Sequence, residues 1–251
     1  MFTHSLPKAF IFDMDGVIFD SEVLSRRLWR AVFADCGYNF TDETYKKLIG
    51  LPMHATYKLL AEIYGPELPI EEMAEKQDRL WQEEMCSPVE LKPGVIEILD
   101  FLKEKDIPCA VGSSTYHDEV EERLKLSGLR DYFQVVVGGD YVENAKPAPD
   151  IFLKCAEYLN MKPADCLVIE DSRNGLKAAN AARIPAVMIP DLISSEEIDV
   201  SLEFTVVASL TELKKLLEEA LSTTNPLRKG TIAGIAGVFL SDVIDTASDA
   251  L

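Results

Sequence analysis

Six short runs of this chain are apolar on consecutive positions, and nothing else in the sequence restricts the fold as strongly. They are Ala9–Phe12 (AFIF), Cys109–Val111 (CAV), Val135–Val137 (VVV), Leu167–Ile169 (LVI), Ala186–Ile189 (AVMI) and Phe204–Val207 (FTVV). A strand with one wet face alternates apolar and polar residues. A strand that is apolar throughout has both faces covered, which is the condition of a parallel sheet flanked by helices. Helical periodicity fills the intervals between the runs. Gly94–Lys105 places apolar residues at 95, 96, 98, 99, 101 and 102, and Val120–Ser127, Asp150–Leu159 and Asn174–Ala182 are patterned similarly. This alternation predicts an α/β fold built on an open parallel sheet.

Residues 22–90 interrupt the alternation with helical periodicity and almost no strand signal. Turns are marked at Cys36-Gly37, Gly50-Leu51-Pro52 and Gly65-Pro66. So long a strand-free crossover is unusual inside one compact unit. The expected organisation is a core of residues 1–21 and 91–221, interrupted by a helical cap over 22–90. Phe19–Glu22 and Ser87–Pro93 would be its hinges. The blander alternative is that these helices extend the core. Residues 222–251 differ again: Thr231–Leu251 has the spacing of one amphipathic helix, with Ile232, Ile235, Val238, Phe239, Val243 and Ile244 on a common side. No chemistry is assigned to it.

Charge restricts the partners. With 43 Asp and Glu against 25 Lys and Arg, the net charge of −18 repels the phosphates of nucleic acid and an anionic membrane face. Any phosphorylated small molecule must therefore be held by locally gathered positive charge. Five cysteines without a C-x-x-C pair read as reduced thiols. The apolar stretch near residue 10 is too short for a signal peptide, and no run, 230–240 included, approaches the ~20 apolar residues of a membrane span. A soluble cytoplasmic protein is expected.

Chemistry-bearing residues gather at the ends of the predicted strands. Asp13 and Asp15 flank Met14 directly after the first, before Gly16. The carboxyl ends of strands are where open α/β sheets bind ligands. Two acids meeting there repel unless a cation neutralises them, and Mg²⁺ is commonly held by one or two carboxylates plus a substrate phosphate. Gly112-Ser113-Ser114-Thr115 follows the second strand and offers hydroxyls to phosphate oxygens, although Thr115 also suits the N-cap of a helix beginning near His117. Lys146, between Asn144-Ala145 and Pro147-Ala148-Pro149-Asp150, follows the third. Glu170-Asp171-Ser172 follows the fourth, where a helix N-cap is again the blander reading.

As an ordered set, these residues resemble the motifs of the haloacid dehalogenase superfamily, within its helical-cap Mg²⁺-dependent phosphatases and β-phosphoglucomutase-like enzymes. The matching segments are DMDGV at 13–17, VGSS at 111–114, KPAPDIF at 146–152 and VIEDSRNG at 168–175. The resemblance covers about residues 7–220 and implies a Rossmann-like core with the cap inserted after the first motif. It implies Asp13 as the nucleophile that becomes an aspartyl-phosphate. Asp15 would be the general acid and then the base, its backbone carbonyl also reaching the metal. Ser113 and Lys146 would hold the phosphoryl oxygens. Asp13, Asp15, Asp171 and Glu170, the last directly or through water, would form the Mg²⁺ site. Gly112, Ser114 and Asn144 would lie nearby.

Asp15 also implies a leaving group that needs a proton, hence a phosphate ester and not a halide. β-Phosphoglucomutases carry a His in the first cap helix and an Arg in the cap loop. The corresponding places here hold Ser25 and Met53, with His54 adjacent. Hydrolysis of a small sugar, polyol or nucleoside-type monophosphate is therefore expected ahead of a mutase. A third possibility is a non-catalytic phosphate- or Mg²⁺-binding module akin to a response-regulator receiver, but receivers are much shorter and have no cap. Arg26, Arg27 and Trp29, near the hinge, are candidate substrate contacts. The expected partner is a small phosphate ester, bound by a monomer or weak homodimer.

Overall fold

A computed structural model describes residues 6–48, 51, 53–85, 89–191, 198 and 201–222. The strands are β1 (Ala9–Phe12), β2 (Cys109–Gly112), β3 (Val135–Val137), β4 (Cys166–Glu170), β5 (Ala186–Met188) and β6 (Thr205–Val206). They form one sheet in the order β3-β2-β1-β4-β5-β6, and every pairing is parallel. All six apolar runs are strands of this sheet.

The two faces explain why those runs do not alternate. Phe10, Phe12, Val111, Leu167, Ile169 and Val187 pack into one buried cluster with Ile98, Leu99, Leu102, Leu213 and Leu217. These partners come from α5 (Val95–Glu104) and α9 (Leu210–Ser222). The residues between them, Ala9, Ile11, Ala110, Val137, Val168, Ala186 and Met188, face a second cluster with Phe152, Cys155 and Leu176. That side is covered by α7 (Asp150–Tyr158) and α8 (Arg173–Ala181). Each buried Phe or Leu side chain contributes about 1.5–3 kcal/mol through water exclusion. Both faces of the sheet are thereby shielded from water, which fixes where its strands end.

Between β1 and α5 lie α1 (Ser21–Asp35), α2 (Asp42–Leu48), α3 (Met53–Tyr64) and α4 (Ile70–Met85). They enclose an apolar cluster of their own, which includes Trp29, Phe33, Phe40, Tyr45, Leu60 and Met73. Trp29 stacks on Phe40 and meets Phe33 edge-on, so it is a core residue and not a substrate contact. Arg26 pairs with Asp42 and Arg27 with Glu84 on the outside of these helices. The two connections to the sheet run side by side. Phe19 bridges Leu91 in antiparallel fashion, Asp20 N–H donates to the Glu90 carbonyl at 2.8 Å, and Lys92 N–H donates to that of Ile18 at 2.9 Å. Met53, His54, residues 86–88 of the second linker and the tail beyond Ser222 lie outside the described residues, or their side chains do. Among the described residues, no helix is long and apolar enough to cross a membrane.

Candidate active site

The site begins with strand register. Phe12 pairs with Val111 on β2 and with Ile169 on β4, so the next residue of β1, Asp13, lies level with Gly112 and Glu170. Its N–H donates to the Ile169 carbonyl at 2.9 Å, which carries the parallel pairing one residue beyond the strand. β1 is the strand where the chain changes direction across the sheet, β2 and β3 on one side and β4 to β6 on the other. Open α/β sheets hold ligands at such a switch point.

Gly16 then turns the chain away. Its φ is +79°, and a Cβ there would sit 2.2 Å from Asp171 Oδ2. Glycine is therefore required twice over, by conformation and by the close approach of the Asp171 carboxylate. Gly175 makes room in the same way for Glu170, whose Oε1 would lie 1.6 Å from an added Cβ.

Asp13, Glu170 and Asp171 converge, with ligand oxygens all within 4.8 Å of one another, and all three are buried. Lys146 enters this group from the loop after β3. Its Nζ donates to Asp13 Oδ1 at 2.5 Å and to Glu170 Oε1 at 2.7 Å. One ammonium thus bonds two of the three converging carboxyl groups. Burial pushes Asp13 up to about 7; the attraction of Lys146 opposes that shift, and repulsion from Glu170 and Asp15 adds to it. Burial also raises Asp171 well above the usual carboxylate range, reinforced by Glu170 and Asp13. For Lys146, desolvation is outweighed by Asp13 and Glu170 together, and its pKa lies above the ordinary lysine value. Three hard oxygen donors and an excess of negative charge suit a divalent cation such as Mg²⁺.

Glu170 is not equivalent to the other two. Besides Lys146, its Oε2 accepts from Asp171 N–H, Ser172 N–H and Ser172 Oγ at 2.8–2.9 Å. Ser172 in turn caps α8 by accepting from Gly175 N–H. With these donors around it, Glu170 orients Lys146 and braces the β4–α8 turn, and Asp13 and Asp171 have the oxygens left for a metal. The capping reading of Glu170-Asp171-Ser172 holds for Ser172, while Glu170 and Asp171 lie in the buried acidic group.

Ser113 is 1% exposed at the end of β2, and its Oγ accepts from Thr115 N–H at 3.1 Å. The carboxylate of Asp15 stands apart from the buried triad. It accepts from Thr115 Oγ1 at 3.1 Å and from Arg123 Nη1 at 3.0 Å, Arg123 lying on α6 (His117–Leu126). The acidic group brought together here is Asp13, Glu170 and Asp171, without the Asp15 carboxylate. Thr115 does not cap α6, because Asp140 Oδ1 takes the His117 N–H at 2.7 Å instead. Asn144, exposed, is bonded to Asp150 through both its N–H and its side-chain amide.

Sequence reasoning passed over Arg123. A signal was present: Val120, Arg123 and Leu124 share the buried stripe of α6, and an arginine at an apolar position implies an internal partner.

Residues 10–189 match the model of a known family, the haloacid dehalogenase-like hydrolases. The chain belongs to that family. Among its relatives, a phosphorylated carbohydrates phosphatase of Thermotoga maritima is 34% identical over 211 residues, 84% of this chain and 90% of that protein. A probable pseudouridine-5'-phosphatase of Drosophila melanogaster is 35% identical over 212 residues, covering 81% and 90% respectively. A solved structure described as a putative beta-phosphoglucomutase from Thermotoga maritima superposes with a TM-score of 0.68 at 32% identity, covering 84% of this chain and 98% of its own. The sequence resemblance and the fold class agree with these findings.

A pH experiment follows from the buried acids of this hydrolase. Their pKa values are higher folded than unfolded, so for Asp13 the folded state binds more protons from the ordinary carboxylate range up to about 7. Their contribution to stability is full below that window and is lost as pH rises through it. A divalent cation replaces the protons. Mg²⁺ is therefore expected to raise the Tm of the metal-stripped protein more at pH 8 than at pH 5. Equal shifts at both pH values in thermal melts would contradict a metal held by these carboxylates.

Proposed function

We propose that this protein is a phosphatase that hydrolyses a small phosphate monoester through an aspartyl-phosphate on Asp13, with Mg²⁺ as its cation. The observation that carries the reading is a division of acids: Asp13 sits against Lys146 in a buried triad, while the Asp15 carboxylate is held elsewhere by Thr115 and Arg123. That separation supports giving one acid to phosphorus and the other to the leaving oxygen.

Asp13 attacks phosphorus in line and the P–O bond to the alcohol breaks. Lys146 and the Ser113 O–H hold phosphoryl oxygens, and Lys146 offsets their charge as well as that of Asp13. Asp15 gives its proton to the departing alkoxide, then takes one from the water that hydrolyses the acyl phosphate. Asp13 and Asp171 would hold the cation, with Glu170 keeping Lys146 in place; the cation, when bound, neutralises charge that positioning alone leaves exposed. Residues 22–90 act as the lid that excludes water during the first step, with the paired linkers around Phe19 and Leu91 as hinges. The substrate is a sugar, polyol or nucleoside-type monophosphate; relatives named for phosphorylated carbohydrates and for pseudouridine 5'-phosphate support that class. Buried thiols at Cys109, Cys155 and Cys166 suit a reducing compartment, and we place the protein in the cytoplasm.

Phosphate release is expected from p-nitrophenyl phosphate and from members of a sugar and nucleoside monophosphate panel, with Mg²⁺ and not after chelation. The structural likeness to a putative β-phosphoglucomutase gives the mutase as second reading. Conversion of β-glucose 1-phosphate, primed with 1,6-bisphosphate, into glucose 6-phosphate without free phosphate would establish it instead.

A further inference from the structure

Arg123 is 5% exposed, and a buried guanidinium is costly unless its charge and donors are engaged. Here the groups engaging it come from both sides of the junction between the sheet domain and the helical segment. From the sheet side, Asp15 Oδ1 accepts from Nη1 at 3.0 Å. From α4, the ring of Trp81 lies over Cζ with its centroid 5.2 Å away. Glu119, one turn back on α6, approaches Nη2 at 3.5 Å. Thr115 bonds the other Asp15 oxygen. Both oxygens of Asp15 are thereby fixed by donors that belong to neither the acidic triad nor Lys146.

We propose that Arg123 is a positioning residue for protonation of the leaving group, and that Trp81 ties this positioning to the cap. The inference rests on the phosphatase reading, in which Asp15 is the general acid. In an in-line displacement the leaving oxygen departs on the side of phosphorus opposite Asp13. An acid serving that oxygen must be turned away from the triad, as Asp15 is. Two donors on its two oxygens set both side-chain torsions, which is the orientation that proton transfer requires. The planar guanidinium does this while presenting its face to an indole, and a lysine ammonium can bond the carboxylate but offers no such face. Trp81 covers Arg123 only while α4 lies against α6. The group that aims the acid is thus gripped from the cap side only when the cap is down.

The test uses two substrates of similar shape and different leaving groups, 4-nitrophenyl phosphate and 4-nitrobenzyl phosphate. Nitrophenolate is a stable anion and leaves with little help, whereas a benzyl alkoxide needs its proton. Arg123→Met is expected to lower kcat for the nitrobenzyl ester about 30-fold more than for the nitrophenyl ester, with KM little changed for either. Arg123→Lys should recover part of the difference, and it carries the same comparison if Arg123→Met does not fold. Trp81→Leu should show the same selectivity, by about 5-fold. Equal losses on both esters for the Arg123 variants would overturn the positioning role, and a Trp81→Leu variant without leaving-group dependence would overturn the link to the cap. A parent protein that hydrolyses neither ester would overturn the proposed function itself.

Discussion

Asp13→Asn is expected to abolish turnover while leaving the fold as stable as the parent, or more stable. The amide keeps the shape of the side chain but cannot donate an electron pair to phosphorus, and loss of a covalent nucleophile costs about 10⁴-fold or more in kcat. Stability follows a different balance. Asp13 is one of three buried carboxyl groups that converge at the site, and burial, with repulsion from Glu170 and Asp15, outweighs the attraction of Lys146 and leaves it pushed up to about 7. Removing its charge relieves desolvation and repulsion from Glu170 and Asp171, and Lys146 keeps Glu170 as its partner at 2.7 Å. The expected result in metal-free buffer at pH 8 is a midpoint of denaturation no lower than that of the parent, with no detectable phosphate release. Asp15→Asn should behave differently. Its nucleophile is intact, so incubation with 4-nitrophenyl phosphate should leave a protein heavier by one phosphoryl group, seen by intact-mass spectrometry and absent from Asp13→Asn. Parent-like hydrolysis by Asp13→Asn would remove Asp13 from the reaction.

The residues that sequence reasoning assigned to the site share a property: each lies at or beyond the carboxyl end of a strand. Asp13, Ser113 and Glu170-Asp171 are set by where β1, β2 and β4 stop, and strand ends were readable because a doubly covered strand is apolar at every position. β6 shows the limit of that signal. FTVV reads as four strand residues, yet the strand spans only Thr205 and Val206, with the Val207 N–H donating to the Met188 carbonyl just beyond it. The residues that were not readable act across the chain. Arg123 serves Asp15 from 108 positions away, and Thr115 does so from 100. Local spacing gave Thr115 a capping role that Asp140 fills. The two tryptophans divide in the same way. Trp29 is close to β1 in sequence but points into the cluster among the four helices, whereas Trp81, late in α4, is the one brought to Arg123. Helix phase alone does not say which apolar face meets its own neighbours and which meets helices that pack on the sheet.

Lys146→Met should be the most damaging change at the site for activity and stability together, and its pH dependence separates the causes. Methionine keeps much of the volume and removes the cation that serves Asp13 and Glu170. Breaking a buried ion pair from one side costs about 3–5 kcal/mol because the remaining charge is left uncompensated. That cost exists only while the acids are ionised. Burial already raises Asp13, to about 7, so between pH 8 and pH 5 it takes up a proton, one of the stranded charges is removed, and the variant moves closer to the parent. At pH 8 the full penalty appears. The loss of stability should therefore grow with pH in metal-free denaturant titrations. Adding Glu170→Gln to Lys146→Met removes another of the stranded charges and should recover part of the stability at pH 8. It should recover none of the activity, since the phosphoryl group still lacks its ammonium partner. A destabilisation equal at pH 5 and pH 8 would mean that Lys146 supports the fold through packing against Phe152, whose ring lies 4.7 Å from Nζ, and not through charge.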